Sequence, residues 1–368
     1  MDRRDFLRAG VATSLVGLIP PGISGAAAGA SGETTLWLNW NENPMGLSPK
    51  ARQAAEKALA RAHRYPDLSR AELAADLAER HGLAPENVVL GCGSTQILRS
   101  VVAAFASATR RLVLAEPTFE AVVRYQQPFG YAVEKVPLDG RYAHDIERMK
   151  HRVGRGPALV YLCNPNNPTA TLTPSVEIDS WIRQAPESVL FVVDEAYCEY
   201  VEDPGYATAA RWVAERPNVV VTRTFSKIYA MAGLRLGYGL AAAATARRLR
   251  EFLAADNVNG VAVAAARAAV ADEELIAASR QVNRQAKTIA LACLDELGLE
   301  HLPSHANFLM HRVAGDLQVY IQRMREQGVR VGRPFPPLLD YNRLSLGLPS
   351  DMHRWADTLR DLRAAGWA

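Results

Sequence analysis

Between residues 87 and 241 the chain alternates unbroken apolar runs with longer amphipathic stretches. The runs are NVVLG (87–91), RLVLAEP (111–117), ALVYLCNP (158–165), SVLFVVDEAY (188–197), NVVVTRTFSK (218–227) and LRLGYGLA (234–241). None shows the every-other-residue polarity of a strand with one wet face. Continuous apolar strands are buried on both sides, which predicts a mainly parallel sheet under helices, an α/β fold. The stretches between them predict helices at 94–107, 119–129 and 175–184. Ahead of the sheet, Ser48-Pro49 reads as a capped helix start. Ser69 with Glu72 reads as a capping box, and Gly82 as a helix stop. From about residue 241 alanine-rich helices run to about 298. ANFLMHR, a helix near 315–328, GVRVGR, YNRLSLG and a closing helix then follow as a smaller α+β region. The expected organisation is a leader at 1–30, a short segment at 31–47, a large domain at 48–280 and a small domain at 281–368.

Composition changes this picture little. At 368 residues and 49% hydrophobic the chain can bury a large core. A formal net charge of +3, with basic clusters not interleaved with aromatics, argues against a nucleic-acid partner. Residues 1–30 differ in kind. Arg3-Arg4, then Phe6-Leu7, a short apolar run and a tail of small residues describe an export signal of twin-arginine type. Pro20-Pro21 interrupts the run, so it is not a membrane span. Export to the periplasm is the expectation. Cys92, Cys163, Cys198 and Cys293 contain no C-x-x-C and are expected to be free, largely buried thiols.

In a doubly wound sheet, sites form where strands end. Several runs end in polar residues that a core has no use for. The first is followed by Gly91-Cys-Gly93-Ser94-Thr95 at a helix start, where backbone N–H groups favour an anion. Gln96 breaks the dinucleotide fingerprint and the Walker spacing is absent, which leaves a single phosphate. Asp194 follows an apolar run, so its carboxyl is either protonated or matched to a cation: a neighbouring arginine, or a protonated heteroaromatic nitrogen such as that of pyridoxal phosphate. Lys227 follows Ser226 at another strand end, and Arg235 lies eight residues on. A lysine with its charge suppressed can react with an aldehyde, and an arginine can fork onto a phosphate. Taken singly, Asn167, Tyr197 and Phe119 read as a turn asparagine and two core aromatics.

The ordered set LNWNENP, RYPD (64–67), EPTF, NPNNPT, DEAY, TFSK with GLRLGY, SHANF and NRLSLG resembles fold-type I pyridoxal-phosphate-dependent aminotransferases, in their histidinol-phosphate aminotransferase-like branch. The resemblance spans about residues 34 to 365. It implies that Lys227 bonds the cofactor aldehyde and shuttles the proton, and that Asp194 pairs the ring nitrogen. Tyr197 and Asn167 then hold the ring oxygen, with a cis bond expected at Asn167–Pro168, and Phe119 stacks on the ring. Ser94, Thr95, Ser226 and Arg235 bind phosphate, with Thr224 close by. Tyr65 reaches the phosphate of the partner subunit, so a homodimer with shared active sites is expected. Arg343 clamps a substrate carboxylate, with Arg333 as a second substrate contact. Two departures stand out. Ala170 replaces the family's usual Gly after NPNNPT and is strained if φ is positive. The stretch ahead of LNWNENP is shorter than the arm that helps histidinol-phosphate enzymes bind their substrate. The implied reaction moves an amino group between an L-amino acid and a 2-oxo acid. A decarboxylase, lyase, racemase or oxidase on the same fold is the alternative, and a non-catalytic binder a weaker one.

Overall fold

The computed structural model describes residues 35–366, so the leader at 1–30 lies outside the described residues. The strands in chain order are β1 Leu36–Trp37, β2 Val88–Gly91, β3 Arg111–Glu116, β4 Val133–Pro137, β5 Ala158–Cys163, β6 Val189–Asp194, β7 Val219–Thr224, β8 Gly237–Ala241, β9 Phe308–Arg312, β10 Val329–Arg330 and β11 Tyr341–Ser345. Seven of them form one sheet in the order β2-β8-β7-β6-β5-β3-β4. The pairings from β4 through β7 are parallel, and β8 runs against both its neighbours. The two smaller sheets are β1-β10 and β11-β9.

The apolar runs are continuous because each strand feeds two cores. Val113, Val160, Phe191, Val193 and Val221 pack on one face of the sheet. Leu112, Leu159, Tyr161, Val192 and Val220 pack on the other. Adjacent residues point to opposite faces, so both sets must be apolar. A third core joins β9 and β11 to the helices Glu273–Glu296, Leu317–Glu326 and Pro349–Ala364. Leu36 and Leu38 belong to this third core although they start the described chain.

One strand was not expected, and two expectations need correction. β4 has no apolar run of its own: as an edge strand it pairs only with β3, and of its five residues only Val136 is fully buried. The stretch 119–129 is not one helix. It breaks into a 3-10 turn, Glu120–Val122, and a four-residue helix, Gln126–Phe129, that stops at Gly130 in the left-handed region. Pro128 lacks the N–H that a continuous helix would need there. Ser69 is not a cap, because the helix Asp67–Arg80 begins two residues earlier and the Ser69 hydroxyl donates to the Pro66 carbonyl. Ser48 does cap the helix Pro49–Leu59 by accepting from the Ala51 N–H. All four cysteines are free; Cys92 is exposed and the other three are buried. Among the described residues no helix is long and apolar enough to cross a membrane.

Candidate active site

The carboxyl ends of the parallel strands open into a cavity of about 380 Å³. Its lining includes every singled-out site residue except Tyr65: Ser94, Thr95, Phe119, Asn167, Asp194, Tyr197, Thr224, Ser226, Lys227, Arg235, Arg333 and Arg343. The ends of β2, β5, β6 and β7 in the large sheet carry most of these residues. Arg343 is an exception: it sits on β11 and reaches the cavity from the small antiparallel sheet. Tyr65 is 78% exposed and away from this cavity.

Asp194 ends β6 and is buried. No arginine answers it. Instead Tyr161 donates to Oδ2 at 2.8 Å, and Thr222 donates to Oδ1 at 3.0 Å. Burial pushes its carboxyl up to about 6, and the two hydroxyls pull the other way. The nearby arginine, Arg223, is committed to Glu195 at 2.7 Å. Asp194 is thus a fixed, buried carboxylate with acceptor capacity left for a cationic partner in the cavity.

Lys227 follows β7 and donates through Nζ to the Trp40 carbonyl at 3.0 Å. Its ammonium lies 5.7 Å from the Tyr197 ring centre. Burial, then the charge of Arg343, bring its pKa down to about 7. Near neutral pH a large fraction of this amine is therefore uncharged and able to attack a carbonyl carbon.

The helix Ser94–Phe105 begins at Gly93, which supplies no capping side chain, so its first N–H groups stay open for an anion. Arg235 lies over this end and is linked to Ser226 Oγ at 3.4 Å. Two glycines make the seat possible. A Cβ on Gly93, at φ +75, would strike the Arg235 guanidinium, and one on Gly237 would strike the Ser94 backbone nitrogen. Thr224 accepts the Ser226 N–H at 3.1 Å and so shapes the turn that carries Ser226 and Lys227. N–H groups, a serine hydroxyl and a guanidinium around one point make a donor set for phosphate.

Between these poles the Tyr197 hydroxyl receives Asn41 Nδ2 at 3.1 Å and Asn167 Nδ2 at 3.4 Å. Asn167 Oδ1 accepts from Arg343 at 2.7 Å, and the other Arg343 Nη donates to the Asn39 carbonyl at 2.7 Å. Arg343 is buried, with an unpartnered Nε. The half-buried Phe119 lines the wall. Asn167–Pro168 is not cis; among the described residues the cis bonds are Glu116–Pro117, Asn164–Pro165 and Pro336–Pro337. Ala170 has φ +62, so alanine does occupy a left-handed position here.

Sequence reasoning missed Tyr161, Thr222, Asn39 and Asn41. Thr222 carried a signal, as a hydroxyl inside an apolar strand. Tyr161 carried none beyond its face of the sheet, and the asparagines depend on contacts across the fold.

An anion seat, a buried carboxylate and an amine with a lowered pKa around one cavity suit a phosphorylated aromatic aldehyde such as pyridoxal phosphate. The family model for aminotransferase class I and II matches residues 33–357. A histidinol-phosphate aminotransferase of Dechloromonas aromatica (strain RCB) is 37% identical over 89% of this chain and 90% of its own length. One from Moorella thermoacetica is 38% identical over 79% and 75%. A crystal structure from Erwinia carotovora atroseptica SCRI1043, provisionally named a histidinol-phosphate aminotransferase, superposes with a TM-score of 0.89 at 37% identity, covering 91% of this chain and 97% of that one. The Sinorhizobium meliloti histidinol-phosphate aminotransferase in complex with pyridoxal-5'-phosphate gives 0.83 at 27%, covering 89% and 92%. The chain belongs to the class I and II aminotransferases. Within them it is a pyridoxal-phosphate-dependent aminotransferase with histidinol-phosphate aminotransferases among its relatives.

Proposed function

We propose that the protein transfers an amino group between an L-amino acid and a 2-oxo acid, with Lys227 as the proton carrier. The observation that carries this reading is Lys227, its pKa lowered to about 7 by burial, in one cavity with Asp194 and with Arg343, whose Nε has no partner. Pyridoxal phosphate supplies an aldehyde that takes the amine and a ring that accepts electrons from the Cα–H bond. Asp194 would hold the ring nitrogen and favour its protonated form. Asn167 and Tyr197 hold the ring oxygen. Ser94, Thr95, Ser226 and Arg235 take the phosphate, and Phe119 covers one ring face. Arg343 takes the substrate carboxylate through its free N–H, which sets Cα near Lys227. Lys227 would take the Cα proton of the substrate and hold it for return, and would serve the second substrate in the same way.

The test is reconstitution with pyridoxal phosphate and a screen of amino donors with and without 2-oxoglutarate. Ping-pong kinetics and turnover only with both substrates are expected. Lys227→Ala should lose the cofactor's absorbance band and drop kcat/KM by roughly 10⁴-fold. Product formation from the donor alone, turnover after turnover, would favour a decarboxylase or lyase instead. A homodimer fits the reading, since Leu59, Tyr65 and Leu68 stand exposed along one short stretch; sedimentation checks it. Export through the Arg3-Arg4 leader is the matching proposal for location, tested by changing both arginines to lysine and following the protein between compartments.

A further inference from the structure

Gln96, which breaks the dinucleotide fingerprint, plays no part in the transfer itself. It does not line the cavity, and neither do Asn257 and Asn259. Its Oε1 accepts from the Cys92 N–H at 2.6 Å and from Asn257 Nδ2 at 3.0 Å. The same Asn257 amide donates to the Leu90 carbonyl at 2.9 Å, on β2. The turn Gly91–Gly93 has two glycines and so little stiffness of its own. It is held by a side chain from the first turn of the helix that follows it, and that side chain is held in turn by a residue far along the chain.

Two positions on, Asn259 reaches the other half of the anion seat. Its Oδ1 accepts from the Ala262 N–H at 2.8 Å and caps the helix Gly260–Val270. Its Nδ2 is left over from that task and donates to the Leu234 carbonyl at 3.1 Å. Leu234 precedes Arg235, which has φ +58. A left-handed backbone at a residue with a Cβ persists only where its surroundings impose it. Between the two asparagines Val258 is buried in the core that also takes Leu236 and Tyr238, which pins the strip.

The two halves of the seat must be in place together. Gly93 lies so close to the Arg235 guanidinium that a Cβ there would strike it, so a small shift of either half changes the space left for an anion. Inside the sheet, Gly91 of β2 pairs with Gly237 of β8 and joins the halves once. The strip Asn257–Asn259 joins them a second time. Resting on the pyridoxal-phosphate assignment, we propose that this strip is a brace for the phosphate seat: Asn257 positions the glycine turn through Gln96, Asn259 positions Arg235, and neither touches the cofactor. The described bonds of Gln96, Asn257 and Asn259 include none to Lys227, Asp194 or Tyr197. The brace therefore acts on the hold of the phosphate and not on that of the ring or the aldehyde.

That division is what the experiment reads. The full-length protein, freed of cofactor, is titrated with pyridoxal phosphate and separately with pyridoxal, which has the same ring and aldehyde and no phosphate. The absorbance of the bound aldehyde gives a Kd for each. Asn257→Ala should raise the Kd for pyridoxal phosphate by roughly 10-fold and leave that for pyridoxal within about 2-fold. Gln96→Met keeps the length of the side chain and loses the acceptor. It should match Asn257→Ala, and the double variant should be no worse than about 2-fold beyond either, because both cut one connection. Asn259→Ser keeps a capping oxygen and loses the amide donor, and should cost about 3-fold for pyridoxal phosphate alone. Asn259 is exposed, so this variant carries the test if Asn257→Ala fails to fold. Parallel rises for both compounds would mean general damage to the site and would overturn the brace. An unchanged Kd for pyridoxal phosphate in all three single variants would overturn it as well. A parent protein that binds neither compound would overturn the cofactor assignment, and the brace with it.

Discussion

The floor and the mouth of the cavity are built differently. On the floor, Asp194, Tyr197, Thr224 and Ser226 are all buried, and Asp194 and Tyr197 are held by donors from neighbouring elements. At the mouth, Trp40 is 66% exposed, and Arg333 and Arg124 both pair with the exposed Glu120 at the rim. The floor is preorganised by the sheet, and the mouth by exchangeable charge pairs. A substitution should then act on chemistry in the first and on substrate affinity in the second.

The most damaging test of this division lies on the floor. Asp194→Asn should lower kcat/KM by roughly 10²–10³-fold, because it removes the charge that meets the ring nitrogen. The same residue gives a pH signature in the cofactor-free protein. Its folded pKa of about 6 lies above the ordinary 3.8. Its contribution to stability is therefore full below the unfolded value and is lost as pH rises through about 6. The difference between parent and Asp194→Asn in chemical denaturation should change by on the order of 3 kcal/mol between pH 4 and 7. A flat difference would mean that the carboxylate is not the buried group described.

At the mouth, Arg333→Gln should raise KM for the donor by less than about 10-fold and leave kcat alone, as fits an exposed, replaceable charge pair. A large fall in kcat would move Arg333 to the floor and break the contrast. The smallest effect is expected at Ala170. Relief of its left-handed backbone is worth about 1–2 kcal/mol, against about 0.8 kcal/mol for the buried methyl that glycine loses. Ala170→Gly should thus stabilise by under about 1 kcal/mol in a denaturant titration, with turnover unchanged.

The same contrast separates what could be read in the sequence from what could not. Asp194, Lys227 and Ser94 each follow an apolar run, so burial and strand-end position gave them away. Tyr161 and Thr222 were hidden because their role depends on strand register: Thr222 is directly opposite Asp194 on β7, and Tyr161 is on the neighbouring β5. Arg343 was visible as a charge in a short strand. Its true origin in a separate two-stranded sheet was not, because pairing between β9 and β11 is set over a long stretch of chain. The bond between Arg333 and Glu120 joins exposed residues with no pattern around either. Only the folded chain brings them together. The edge strand β4 was lost for a related reason, since a half-wet edge need not be apolar.

The segment Asn39–Asn43 has a consequence for timing. Trp40 binds Lys227, Asn41 binds Tyr197 and Ser345, and Asn43 binds the Ile228 carbonyl and Ser279. One short strip is thus sewn to the reactive amine, the ring-oxygen pocket and the long helix at once. Trp40, Asn41 and Glu42 also line the cavity, so a vitamer entering or leaving passes beside these stitches. Undoing and remaking them slows capture and escape alike, so the strip sets how fast the site fills and empties and leaves the final occupancy to concentration and affinity.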